Sequence, residues 1–137
     1  MSARSLRNAS ALAALVGLAA CGTGNGEREA YLRTLTEAEA PMEAGWREFD
    51  AAIARADLAG ARRAAEQTAA AASSARDRIG RLTVPPSLDT ARREELVFLS
   101  HVALGFPRYA AGGNLSELRS ILQRGRAHQS RGREDTR

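Results

Sequence analysis

Residues 57–82 read DLAGARRAAEQTAAAASSARDRIGRL. Leu58, Ala61, Ala65, Thr68, Ala72, Ala75, Ile79 and Leu82 recur there in alternating steps of three and four, which places them on one face of an α-helix. Arg62, Arg63, Glu66, Arg76, Asp77 and Arg78 fall on the other face, and Asp57 stands where an N-cap oxygen belongs. The apolar face is mostly alanine. Such a helix can approach a neighbour closely, but each residue buries little area, so modest stability is expected.

The same period extends in both directions. Upstream, Tyr31, Leu35, Ala38, Met42, Trp46, Phe49 and Ile53 form a stripe, with Pro41 inside it as a kink or a restart. Downstream, Val84-Pro85-Pro86 ends the quoted helix, and Ser87 offers a cap for a third. That third helix presents Leu88, Ala91, Leu96, Phe98, Leu99, Val102, Ala103 and Phe106, and Pro107 should kink or shorten it. Gly112-Gly113 marks a turn. Asn114-Leu115-Ser116-Glu117 then has the form of a capping box opening a short fourth helix, whose face is Leu115, Leu118, Ile121 and Leu122.

No run of alternating β-branched residues argues for a strand. The spacing predicts an all-α, antiparallel up-and-down helical bundle of three long helices and one short helix, spanning residues 27–123. Residues 124–137 hold five arginines against Glu134 and Asp135 with almost nothing apolar, the composition of an Arg-rich disordered tail. Such a tail could contact anionic lipid or an acidic envelope polymer.

The 137 residues contain 20 basic groups, all arginine, against 16 acidic ones, a net charge of +4. The pI of 10.5 therefore reflects the lack of lysine more than a large basic excess. With six aromatic residues and no basic–aromatic interleaving, no nucleic-acid partner is expected. One cysteine excludes an internal disulfide.

The N-terminus decides the compartment. Arg4 and Arg7 precede a stretch from Ala9 to Ala20 that is apolar except for Ser10, the layout of a secretory signal peptide over residues 1–20. Its end, Leu18-Ala19-Ala20-Cys21, resembles the lipobox of bacterial lipoproteins. The resemblance implies recognition of Leu18, Ala19 and Ala20 by a type II signal peptidase and covalent lipid on Cys21. Two or three acyl chains anchor a protein stably, at about 0.8 kcal/mol per buried methylene. Gly22-Thr23-Gly24-Asn25-Gly26 reads as a flexible tether, so residues 21–26 link the anchor to the bundle. The resemblance further implies an extracytoplasmic, membrane-anchored protein. Gly22 after the cysteine favours the outer membrane where the organism has one. Ile79-Gly80-Arg81-Leu82-Thr83-Val84-Pro85-Pro86-Ser87-Leu88 is also similar to a Leu-x-x-Leu-x-Pro-Pro-x-Leu corner of small helical lipoproteins, which implies a fold and no activity.

No catalytic constellation is visible. His101 and His128 belong to no His-x-x-x-His or Glu-x-x-His pair, so no metal site is expected, and no cofactor beyond the lipid. Adjacent Glu94 and Glu95 point apart on a helix and suit solvent or local arginines such as Arg92 and Arg93 better than paired acid–base work. The expectation is a noncatalytic interaction or structural bundle with an envelope protein or anionic lipid as partner. The alternative is a small-ligand module whose interhelical pocket is lined by Trp46, Phe49, Phe98 and Phe106.

Overall fold

The computed structural model describes residues 23–137. Four helices follow one another: α1 (Thr23–Ala54), α2 (Leu58–Gly80), α3 (Pro86–Ala110) and α4 (Leu115–Glu134). They pack on one another around one core, and no strand occurs among the described residues. Leu35, Met42, Ile79, Phe98, Leu99, Val102 and Phe106 fill the centre. The alanine face of α2 is buried as its spacing requires, from Ala61 through Ala75. Leu58 is the exception. At 62% exposed it lies one residue past the cap, outside the groove its helix packs into.

Caps and turns follow local chemistry. Asp57 Oδ1 accepts from the Gly60 amide at 2.8 Å, and Asn114 Oδ1 from the Glu117 amide at 2.7 Å. The Glu117 carboxylate meets Arg108 at 3.4 Å, across the turn. Gly112, with φ of 105°, supplies the left-handed residue after α3.

Several elements differ from the sequence reading. Pro85, not Ser87, is the N-cap of α3, and Pro86 opens it, where the missing amide has no intrahelical partner to lose. Pro41 and Pro107 both lie inside their helices. α1 starts at Thr23, within the stretch read as tether; once Tyr31 and Leu35 are packed, extending the helix backwards is easier than nucleating it. The largest departure is α4. It spans 20 residues and runs through most of the segment read as a disordered tail. The reason is spacing: Leu118, Leu122, Gly125, Gln129 and Gly132 continue one face in steps of four and three. Small residues on that face carry little apolar signal yet let α3 come close. Leu18, Ala19, Ala20 and Cys21, with the rest of residues 1–22, lie outside the described residues.

Two helix pairs touch through glycine. A Cβ on Gly45 of α1 would lie 2.6 Å from Thr68 Oγ1 of α2. Between α3 and α4, a Cβ on Gly125 would lie 2.8 Å from the Cβ of His101, and one on Gly132 3.0 Å from the Ala91 carbonyl oxygen. At none of these positions does a larger side chain fit without movement.

Candidate functional site

α1 and α4 meet differently. Their seam is built from long side chains, ionic at one end and apolar at the other.

At the ionic end, Glu39 on α1 and Glu95 on α3 are buried, at 3% and 1% exposed. Arg133 of α4 reaches between them: its Nη2 donates to Glu39 Oε2 at 2.7 Å, and its Nε lies 3.3 Å from Glu95 Oε2. Gln129 Nε2 donates to Glu95 Oε1 at 3.3 Å. Two carboxylates against one guanidinium would leave a surplus negative charge in a dry interior, where it is costly. The outcome falls on Glu39. Burial, and then the neighbouring Glu95 carboxyl, push it up to about 8, which makes the three groups together close to neutral at pH 7. For Arg133, burial alone would act downward, but the Glu95 and Glu39 carboxylates raise it above its ordinary range. Burial, reinforced by Glu95, also raises the Tyr31 phenol, whose hydroxyl has no hydrogen-bond partner among the described residues. Glu39 Oε1 likewise has none.

At the apolar end, a groove of about 310 Å³ opens between α1 and α4. Trp46, Phe49 and Ile53 form one wall and Leu115, Leu118 and Leu122 the other, with Asp50, Arg119, Gln123 and Arg126 around them. The Arg126 guanidinium lies over the Trp46 ring, 4.4 Å from its centroid, in a cation–π contact. Behind the groove, Phe106 packs edge-on against Trp46 and Phe49 at 5.3 and 5.1 Å. Of the four aromatics expected around a pocket, then, Trp46 and Phe49 line the groove. Phe98 and Phe106 are not among its lining residues and lie in the core.

A third cluster lies on the α3–α4 face. His128 Nδ1 is 2.6 Å from Glu94 Oε2, and Arg131 is 3.5 Å from the same oxygen. The hydrogen bond with His128 holds Glu94 below the usual carboxylate range. His101 stacks on His128 at 5.8 Å and donates from Nδ1 to the Val97 carbonyl at 2.8 Å. No group of three or more metal-ligating side chains occurs among the described residues.

The sequence reading left Glu94 and Glu95 to solvent or local arginines. Glu95 is instead core, and both find their partners on α4. It overlooked Tyr31, Glu39, Glu95 and Arg133 as a unit. One signal was available: Glu95 falls between Ala91 and Phe98 in the same three-four stripe that α3 buries. No family model, curated protein or solved structure matches the chain.

Proposed function

We propose that this chain is a bacterial lipoprotein, held outside the cytoplasmic membrane by lipid on Cys21, whose bundle acts as a noncatalytic interaction module. The outer membrane is the favoured site where one exists, since Gly22 follows the cysteine. The support for anchoring is the Leu18-Ala19-Ala20-Cys21 stretch. No described helix is long and apolar enough to cross a membrane. The helices run up and down, each antiparallel to the next. Glu37 opposite Arg78 and Gly45 opposite Thr68 support this for α1 and α2, as do His101 opposite Gly125 and Ala91 opposite Gly132 for α3 and α4.

The observation that carries the interaction reading is the α1–α4 groove, an apolar surface that the bundle's own helices leave open. A second reading, a small-ligand site at the same place, is favoured by its size, at the low end of the roughly 300–1,000 Å³ of ligand pockets.

Intact mass and fractionation of the native chain beside Cys21→Ser test the anchor. A membrane-bound chain beginning at acylated Cys21 and released by the substitution supports it. An unmodified Cys21 on a freely soluble chain overturns it. A photocrosslinker at Arg119, compared with one at Arg62 on the outer face of α2, tests the seam. Adducts confined to Arg119 are expected, and equal labelling at both positions would count against the seam as the working face.

A further inference from the structure

We propose that the α1–α4 groove takes the acyl chain of a free single-chain carboxylate, with Arg126 and Arg119 holding its head group. The inference rests on the small-ligand reading of the groove and names its ligand class.

Three observations carry it. The first is the wall: Trp46, Ile53 and Leu115, each part-exposed, present aromatic and branched surface over the buried Phe49 and Leu122, suited to a hydrocarbon. The second is the charge at the rim. Arg131 and Arg133, further along α4, are each paired to a buried or half-buried carboxylate. Arg119 and Arg126 make no ion pair among the described residues, although both border the groove. Asp50 is the single acidic residue there, so the rim keeps one positive charge, which a monoanion neutralises. The third is the placement of Arg126. Its guanidinium carbon lies 4.4 Å from the Trp46 ring centroid and its N–H groups have no hydrogen-bond partner among the described residues, so the fork is free to meet a carboxylate with two parallel hydrogen bonds.

The volume separates this ligand from bulkier ones. About 310 Å³ suits one chain better than the paired chains of a phospholipid. A cationic amphiphile would meet two guanidiniums, and a neutral one would leave Arg126 without an anion.

The test uses the full chain in phosphatidylcholine vesicles, where Trp46 is the only tryptophan. Dibromostearate, whose bromines quench a neighbouring indole, is titrated beside its methyl ester and beside brominated phosphatidylcholine in the vesicle itself. The expected result is saturable quenching by the carboxylate at concentrations roughly ten-fold below those for the ester, since a hydrogen bond to a charged group contributes about 1.5–3 kcal/mol. Arg126→Gln, at an exposed position, should erase that difference while leaving the helical circular dichroism unchanged. Equal quenching by acid and ester would overturn the anionic head group and leave the groove as a ligand site. No quenching by either overturns both. Quenching by the brominated phospholipid alone overturns the inference too, because it would place Trp46 against the bilayer.

Discussion

The α3–α4 interface and the α1–α4 seam join the same helix to two neighbours by opposite means. Against α3, α4 presents Gly125 and Gly132, and the backbones come so close that a Cβ would strike His101 or the Ala91 carbonyl. Against α1, it presents Arg126 and Arg133, and contact is made at side-chain length: 4.4 Å to the Trp46 ring, 2.7 Å to Glu39. The close interface still carries polar pairs, His128 with Glu94 and Arg133 with Glu95. At the α1–α4 seam, long side chains also leave a groove open beside the buried Glu39.

Removing the ionic bridge should break the seam most severely. Arg133→Met leaves Glu39 and Glu95 buried without a cation, and unfolding in urea at pH 7 should show a loss of about 3–5 kcal/mol. Replacing Glu39, Glu95 and Arg133 together by leucine should recover most of that loss, because the desolvation cost disappears with the charges.

Next in size is a pH effect. Burial pushes Glu39 up to about 8 in the folded chain from its ordinary 4.5, so the folded state holds a proton that the unfolded chain releases. Stability from this group is therefore intact below about pH 4.5, falls as pH rises, and levels off above about 8. Glu39→Gln should flatten that decline and raise stability at pH 8.5 by on the order of a few kcal/mol. A variant whose melting temperature falls across this window as steeply as the parent's would contradict a proton on Glu39.

The close interface gives a smaller change of the same sign as the first. Gly125→Ala gains helix propensity of about 1 kcal/mol, yet its Cβ meets His101, so a net loss of roughly 1–2 kcal/mol is expected on thermal melting. The smallest effect belongs to the exposed Arg78–Glu37 pair, 3.0 Å apart: Arg78→Ala should cost less than about 1 kcal/mol, and less again in high salt.

The helical class was legible because alanine, threonine and isoleucine on α2 keep an unbroken three-four rhythm. The full length of α4 and its seam with α1 were not, for two physical reasons. Gly125 and Gly132 serve as core on α4, but glycine in a sequence signals a break, not a packed face. Arg133 is placed by partners 38 and 94 residues away, which no local pattern records. Trp46 and Phe49 line one opening, while Phe98 and Phe106, with the same stripe pattern, lie in the core, a difference that packing sets and local spacing does not record.

Close approach of helix to helix is concentrated between elements adjacent in the chain, α1 with α2, α2 with α3 and α3 with α4. Contacts of that kind close short loops, so the hairpins should assemble quickly, in the microsecond-to-millisecond range of local helical topologies. Joining α1 to α4 closes a loop of about 90 residues and requires charged groups to shed water first. Docking of that last pair should therefore be the slow step of assembly. The same pair is the first place an amide proton or a protease should find the native chain open.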